Sequence, residues 1–153
     1  MKPSPSGWPR LSSSVFYDDP RAAIDWLCRA FGFEVRLKVE GDDGVIHHSE
    51  LCFGEALIMV SGTGGKEAWQ ALYRSPQATG GWITQASALF VDDVDAHHRR
   101  AVAAGARVVR EPVTNDYGDE YWVDRTYGAL DLEGHLWWFM QRIRSSSDRE
   151  QTK

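Results

Sequence analysis

The strongest constraint on the fold is an internal repeat, in which one order of local signals occurs twice. Tyr17-Asp18-Asp19 follows a short β-prone run and precedes a helical pattern, and Val91-Asp92-Asp93 does the same 74 positions later. Three further β-prone runs follow each helical pattern. A repeated supersecondary unit determines architecture more firmly than any single element does. The sequence therefore predicts an α+β fold made of two tandem βαβββ modules.

The first module contains a helix with clear start and stop signals. Asp18 or Asp19 can accept hydrogen bonds from the free N–H groups of the first turn, and Pro20 suits the first helical position. Gly32 is expected to end the helix in a left-handed conformation. Apolar residues at helical spacing predict a buried stripe, made of Ala23, Trp26, Leu27, Ala30 and Phe31.

The remaining elements follow from β-prone runs and turn residues. In the first module, strands are predicted at 33–39, 45–53 and 56–60, with a hairpin turn at 41–44. In the second module, a helix ending before Gly105 is expected to bury one face, made of Val94, His98, Ala101 and Val102. Its remaining elements are predicted as a strand at 107–110, a loop at 111–120, and strands at 121–127 and 135–141.

Each module pairs a curved sheet with a helix on one side, which leaves the other side of the sheet uncovered. Two such modules side by side are expected to form a half-open, barrel-like trough, a suitable place for a small molecule. The predicted division of the chain is a flexible N-terminus at 1–10, modules at 11–61 and 85–143, a linker or flap at 62–84, and a flexible C-terminus at 144–153.

Composition excludes several classes of function. The net charge is −5 and the basic residues are scattered, so no nucleic-acid partner is expected. No apolar run is long enough to span a membrane, and the N-terminal residues lack a signal-peptide pattern, so a cytoplasmic protein is predicted. Cys28 and Cys52 are expected to be buried free thiols. The sequence contains no P-loop, dinucleotide-binding or hydrolase nucleophile motif.

Four segments carry a family resemblance: YDDPRAAIDWLCRAFGFEV, LFVDDVDAHHRRAVAAGARVV, YGDEYWVDR and DLEGHLWWF. Through them the chain resembles the vicinal oxygen chelate superfamily, which contains glyoxalase I, the bleomycin resistance proteins and the extradiol dioxygenases. The resemblance covers residues 11–141 and is closest to the small glyoxalase-like or bleomycin-resistance-like members. It implies a small-molecule ligand and a homodimer.

The metal enzymes of that superfamily hold a divalent ion with side chains from the first and last strands of both modules. Counting from the strand–helix junctions places these positions near Ser12 and Ala86, at Ile58 or Met59, and at Trp138. A shift of one residue adds only Gln85 as a weak donor. Such ions require oxygen or imidazole donors. Because the residues at these positions lack such donors, neither a metal nor a cofactor is expected. The chain fits better with the metal-free, drug-sequestering members of the superfamily.

The side chains expected to contact a ligand are those that the resemblance places along the trough and its rim. Trp137 and Trp138 alternate along a strand, so one should face the trough and the other the helix. Asp119 and Arg125 could either pair with each other or anchor a polar part of the ligand. The full set of predicted ligand-binding residues is Trp138, Phe16, Phe90, Asp119, Arg125 and Tyr127.

The sequence leaves open whether any reaction is catalysed, and it identifies no catalytic residue. The preferred interpretation is a metal-independent binding protein for a planar or partly apolar molecule. The alternative is a metal-dependent lyase, isomerase or dioxygenase with a displaced metal site, using His47 or His48, Glu50 and His135. A third possibility is a scaffold that binds only partner proteins. Asp131, Glu133 and His135 are interpreted first as residues that shape a turn.

Overall fold

In the computed structural model, which describes residues 1–65 and 67–146, the chain forms two compact units. The first comprises Met1–Trp82 together with Leu132–Gly134, and the second comprises Ile83–Asp131 and the chain from His135 onward. Each unit contains one four-stranded sheet and one α-helix. The predicted α+β class with two tandem βαβββ modules is confirmed, and neither sheet closes into a barrel.

The first unit follows the predicted order of elements. Its sheet has the order β1-β4-β3-β2, in which β1 and β4 are parallel and the other pairs are antiparallel. Two short 3-10 helices, Ala68–Leu72 and Gln77–Thr79, follow the sheet. The elements are β1 (Ser13–Tyr17), α1 (Pro20–Phe31), β2 (Glu34–Glu40), β3 (Ile46–Phe53) and β4 (Ala56–Gly62).

The local signals of α1 are all confirmed. Asp19 caps the helix by accepting a hydrogen bond from the Ala22 N–H at 3.0 Å, and Pro20 is the first helical residue. Gly32 ends the helix with a φ of 84°, which a residue without a Cβ adopts at little cost. All five residues of the predicted stripe are buried. Cys28 and Cys52 are free thiols as predicted, although both are half-buried.

The second unit repeats this topology in the order β5-β8-β7-β6, with β5 parallel to β8. The predicted loop at 111–120 is wrong for its first six residues, because β6 continues to Asp116. Pairing with β7 sustains it, and a register irregularity between Arg110 and Val113 accommodates Pro112. The elements are β5 (Ala86–Phe90), α2 (Val94–Ala103), β6 (Arg107–Asp116), β7 (Val123–Leu130) and β8 (Leu136–Arg144).

The predicted inward face of α2 needs one correction. Val94 and Ala101 are fully buried, but Val102 is 47% exposed. His97 lies on the inward face in its place, with its ring centre 4.2 Å from that of Phe139. Positions 94, 97 and 101 share one helical face, and position 102 lies further round the helix.

Two predictions concern the chain ends and the membrane. The predicted flexible C-terminus begins at 144, yet Arg144 is the last residue of β8; residues 147–153 of that segment lie outside the described residues. Within the described part of the chain, none of the helices has the length and apolar character needed to span a membrane.

The second sheet has two chemically different faces. One face packs against α2 and carries the buried side chains Leu89, Tyr127, Ala129, Trp137 and Phe139. Because side chains alternate along a strand, the intervening residues lie on the opposite side. We call this side the open face; it is formed by Phe90, Arg110, Asn115, Asp124, Thr126, Gly128, Trp138, Met140 and Arg142.

Candidate ligand-binding site

Trp138 forms a broad apolar surface on the open face. Its strand neighbour Trp137 is 1% exposed and donates a hydrogen bond from Nε1 to Asp131 Oδ2 at 2.9 Å, so the predicted alternation of the two indoles is confirmed. Trp138 pairs with Ala88 on β5 and with Gly128 on β7. A Cβ added to Gly128 would lie 2.7 Å from Trp138 Cζ3. Small residues on both neighbouring strands therefore make room for the indole.

Arg142 lies between two aromatic rings at the other end of β8. Its Cζ is 5.4 Å from the ring centre of Phe90 and 5.2 Å from that of Trp122. Nε donates to Asp124 Oδ1 at 2.5 Å, and Nη2 lies 3.5 Å from Asp124 Oδ2. Asp124 is 5% exposed, whereas 36% of the Arg142 side chain is exposed. The carboxylate and the two rings thus hold a guanidinium whose outer edge reaches the surface.

Phe90 connects these two features. It pairs in register with Met140, which makes it a diagonal neighbour of both Trp138 and Arg142. Diagonal side chains on adjacent strands are close enough for aromatic and long residues to contact the same group. Phe90 is 54% exposed. An apolar floor therefore runs from Trp138 to Arg142 along β5 and β8.

The loop between β6 and β7 adds exposed aromatic surface. Trp122 lies 5.7 Å from Tyr117 and 6.0 Å from Tyr121, measured between ring centres. Gly118 adopts a φ of 100° in this turn, and the Tyr117 N–H donates to the Trp122 carbonyl at 3.1 Å. Asp119, a predicted ligand residue, lies in the same loop and is exposed.

A short polar chain crosses the open face on β6 and β7. Arg110 Nη2 donates to Asn115 Oδ1 at 3.0 Å, and Asn115 Nδ2 donates to Thr126 Oγ1 at 3.0 Å. These groups provide donors beside the aromatic residues.

Arg125 lies on the opposite side of the sheet, toward α2. Its Nε and Nη2 donate to Asp95 at 2.8 and 2.7 Å, and Nη1 donates to Thr114 Oγ1 at 3.2 Å. Hydrogen bonds from Arg125 lower the pKa of the Asp95 carboxyl. The pairing of Arg125 with Asp119 that the sequence suggested is therefore wrong, because strand alternation directs Arg125 to the helix.

Tyr127 occupies the same side as Arg125. It is fully buried, stacks on Phe139 with ring centres 4.9 Å apart, and its hydroxyl lies 2.6 Å from His97 Nδ1. Burial raises the pKa of the Tyr127 phenol. These contacts join the sheet to α2, so Tyr127 helps to pack the helix.

Phe16 belongs to an aromatic cluster of the first unit. Tyr73, from the predicted linker or flap, stacks on it with ring centres 3.6 Å apart and planes within 9°. Trp69 meets Tyr73 edge to face at 5.8 Å, and the Ser75 hydroxyl bonds Asp18 at 3.2 Å. Residues 69–75 therefore pack on the start of the first module.

A concavity of about 750 Å3 lies in the first unit. The N-terminal residues Gly7 and Trp8 form one side of it, and Arg36, Cys52 and Leu57 form the other. Arg36 stacks over Trp8 at 5.6 Å and donates to the Gly7 carbonyl. Its Nε also lies 3.4 Å from Glu50. The Arg36 guanidinium is therefore already engaged with groups of the protein.

The acidic turn has structural roles. Asp131 Oδ1 accepts the His135 N–H at 2.9 Å and lies 3.2 Å from its Nδ1, which confirms the predicted turn role of Asp131. Glu133, in the first unit, accepts the backbone N–H groups of Asp18 and Asp19 at 2.7 and 2.9 Å. Sequence reasoning missed this second contact because the partners are 115 and 114 positions apart.

The residues at the superfamily's metal positions do not fit a divalent ion. In the first sheet, Met59 pairs with Ser14 and alternates with the buried Ile58 and Val60, so Met59 is the residue on the uncovered side. In the second sheet, Trp138 fills the corresponding place beside Ala88. A thioether, an indole, a methyl group and the single hydroxyl of Ser14 do not provide the set of oxygen or imidazole donors that such ions need.

The donors suspected of forming a displaced metal site lie in separate local contacts, and only His48 and Glu50 lie beside each other. His48 Nε2 lies 3.0 Å from Glu50 Oε1, and His135 contacts Asp131. His47 faces the turn at Gly41 instead, where a Cβ would lie 2.5 Å from its Nε2. Across residues 1–65 and 67–146, no group of three or more His, Cys, Asp or Glu side chains could hold an ion.

Three residues of this site escaped sequence reasoning: Trp122, Asp124 and Arg142. Strand alternation does separate Asp124 from Arg125. It cannot show that Arg142 lies opposite Asp124, because that pairing depends on the register of β7 against β8. The available signal was that Trp138, Met140 and Arg142 share one face of β8.

Comparison with known proteins agrees with this fold. The family model described as the glyoxalase/bleomycin resistance protein/dioxygenase superfamily matches residues 11–139. The chain therefore belongs to that superfamily. An uncharacterized protein of Mycobacterium bovis is 33% identical over 141 residues, which cover 89% of this chain and 85% of the relative.

Solved structures give the same result. TioX from Micromonospora sp. ML1 is 33% identical, with a TM-score of 0.67, and the match covers 88% of this chain and 99% of TioX. A glyoxalase I variant from Zea mays is 20% identical with a TM-score of 0.64, covering 86% of this chain and 44% of that one. The second likeness concerns the fold alone.

Proposed function

We propose that this protein is a metal-independent binding protein for a planar or partly apolar small molecule, held on the open face of the second unit. The observation that carries the proposal is the continuous surface formed by Trp138, Phe90 and Arg142. Stacked aromatic pairs contribute about 0.5–1.5 kcal/mol beyond the area they bury, so such a surface favours a flat ligand. Asp119, at the exposed loop, remains a candidate polar contact.

Three other predicted ligand residues take different roles in this proposal. Arg125 and Tyr127 hold the sheet against α2, and they support the site without touching the ligand. Phe16 contacts Tyr73, so a ligand would reach its ring only after Tyr73 moves. Metal independence is supported by the side chains at the superfamily's metal positions, among them Met59 and Trp138.

The proposal is tested by equilibrium dialysis with neutral 2-naphthamide as the planar probe, together with quenching of tryptophan fluorescence. Phe90→Ala and Trp138→Ala should each weaken binding about tenfold, which corresponds to about 1.4 kcal/mol. Trp69→Ala, at a 55% exposed tryptophan of the first unit, is the control and should bind normally. No binding at millimolar probe, or binding unaffected by both open-face variants, would reject the proposal.

The alternative is a metal-dependent enzyme, and one observation favours it. His48 and Glu50 bring an imidazole and a carboxylate within 3.0 Å on the first sheet, although two donors alone hold an ion poorly. Elemental analysis of untagged protein separates the two functions. A stoichiometric divalent ion whose removal abolishes probe binding would favour the alternative, while unchanged binding after chelation supports the proposed function.

Pairing of two chains is part of the proposal. It is supported by membership of the superfamily and by the exposed apolar residues of β2. Val35, Leu37 and Val39 on that strand are 46%, 42% and 44% exposed, and exposed edge strands readily join another chain. Light scattering after gel filtration should give twice the mass of 17.2 kDa. If the measured mass is that of one chain at protein concentrations above about 10 µM, pairing is contradicted.

A further inference from the structure

From the donors and charges of the open face, we infer that the ligand is an aromatic acid, whose carboxylate binds the outer edge of Arg142. Its ring system lies on the floor formed by Phe90 and Trp138. This inference rests on the proposed function and specifies the ligand class that the same face accepts.

The first support is the unused edge of the Arg142 guanidinium. Asp124 occupies the edge formed by Nε and Nη2. Within the described residues, Nη1 has no hydrogen-bond partner, and the side chain is 36% exposed. Nη1 and the second N–H of Nη2 form a planar pair of donors. Carboxylates bind such a pair with two parallel hydrogen bonds.

The second support is that Arg142 is held in position before a ligand arrives. Asp124 binds the guanidinium, and the rings of Phe90 and Trp122 lie 5.4 and 5.2 Å from its Cζ. A fixed guanidinium loses little conformational entropy when it binds an anion. The same rings supply apolar surface directly beside the charge, which suits a molecule with an acid group attached to an aromatic ring.

The third support is the local balance of charge. The chain carries a net charge of −5, yet among the residues that define the open face the guanidiniums of Arg110 and Arg142 outnumber the carboxylate of Asp124. Asp116 is paired with Arg144 at 3.3 Å. Asp119 and Glu120 lie on the exposed loop, where salt and water screen their charges. This local excess of positive charge favours an anionic ligand over a cationic one.

A cationic aromatic ligand fits this face less well. Asp124 is 5% exposed and faces Arg142, so a cation could reach it only by displacing the guanidinium. The displaced Arg142 guanidinium would then lie next to the cationic ligand, and the two positive charges would repel each other. The guanidiniums of Arg110 and Arg142 provide donors on this face, and they match an acceptor on the ligand.

The experiment compares three probes of similar shape by equilibrium dialysis: 2-naphthoate, 2-naphthamide and 2-naphthylmethylammonium. The unsubstituted protein should bind 2-naphthoate at least about tenfold more tightly than the amide, because a hydrogen bond to a charged group adds about that factor. It should bind the ammonium compound most weakly. Arg142→Met should remove the preference for the acid, measured as the ratio of the dissociation constants for the amide and the acid.

Three further variants keep the test decisive. Arg142→Met leaves the buried Asp124 without its partner and could reduce folding, so it is paired with a variant that carries both Arg142→Met and Asp124→Asn. Arg142→Lys retains the charge without the planar fork and should keep part of the preference. Arg125→Met is the matched control, because Arg125 pairs with Asp95 on the other side of the same sheet, and it should retain the full preference.

The outcomes separate this inference from the proposed function. If the amide binds as tightly as the acid, or if the double variant weakens both equally, the ligand class is wrong while planar binding stands. If the ammonium compound binds best, the charge assignment is reversed. If no probe binds, the proposed function fails and the inference fails with it. The inference is supported if the preference for the acid is lost in the variants that replace Arg142 with Met and is retained in Arg125→Met.

Discussion

Trp138 and Gly128 are cross-strand neighbours in so close a contact that a Cβ at position 128 would lie 2.7 Å from Trp138 Cζ3. The indole therefore lies over bare backbone on β7. Gly128 does not have a positive φ, so its role is to provide space. The position of the Trp138 indole therefore depends on the absence of a methyl group at position 128.

Gly128→Ala should destabilise the protein and displace the indole. Overpacking of a close contact costs about 1–3 kcal/mol in the free energy of unfolding, and naphthamide affinity should fall with it. Urea denaturation and dialysis measure the two effects. Combining the change with Trp138→Leu removes the clash and should restore most of the stability. If Gly128→Ala alone leaves both stability and affinity unchanged, the contact is looser than described.

Tyr127→Phe should change the alkaline stability of the protein. Burial raises the pKa of the Tyr127 phenol, whereas the unfolded chain releases this proton near pH 10. Above about pH 10 the unfolded state therefore binds fewer protons than the folded state, and stability falls as the pH rises. Urea midpoints between pH 8 and 11 should fall less steeply in Tyr127→Phe.

At neutral pH, Tyr127→Phe loses the hydroxyl that lies 2.6 Å from His97 Nδ1. This loss should lower the free energy of unfolding by about 0.5–1.5 kcal/mol. Tyr121→Phe, at a 54% exposed tyrosine, is the control. Parallel alkaline slopes for the Tyr127 variant and the unsubstituted protein would contradict this account.

Glu133→Ala should destabilise the start of α1. The carboxylate accepts the backbone N–H groups of Asp18 and Asp19, and hydrogen bonds to charged groups contribute about 1.5–3 kcal/mol each. Glu133→Gln keeps one carbonyl acceptor and should lose less. Hydrogen exchange of the two amides, measured by NMR, locates the effect. Glu120→Ala, at an exposed loop residue, should leave these amides protected; equal exchange in all three variants would refute the anchoring role.

Tyr73→Ala should loosen the predicted linker at 62–84. Its ring stacks on Phe16 at 3.6 Å, and loss of the stack should cost about 0.5–1.5 kcal/mol beyond the buried area. Trypsin should then cleave more rapidly after Arg74. Leu72→Ala, at an 80% exposed side chain, is the neighbouring control. Equal cleavage rates in the two variants would show that the stack does not hold the segment.

Local signals were sufficient to predict the bounds and the buried face of α1. A cap, a first-turn proline, an apolar stripe and a left-handed glycine all act within a few residues of one another. They were insufficient at position 102, where the sequence offered several apolar residues for one face of α2. Contact of His97 with Tyr127 and Phe139 selected the face that became buried. The extension of β6 to Asp116 likewise depends on its partner strand β7.

The sequence by itself determined the tandem modules, since a repeated pattern of caps, stripes and turns is encoded locally. It also predicted that chelating side chains are missing from the positions counted as the superfamily's metal positions. Only the tertiary structure decided that Arg142, and not Arg125, lies on the open face beside Phe90. The physical reason is strand register: alternation assigns residues to two sides of a sheet, but which partners meet across strands is set by backbone pairing between residues distant in sequence.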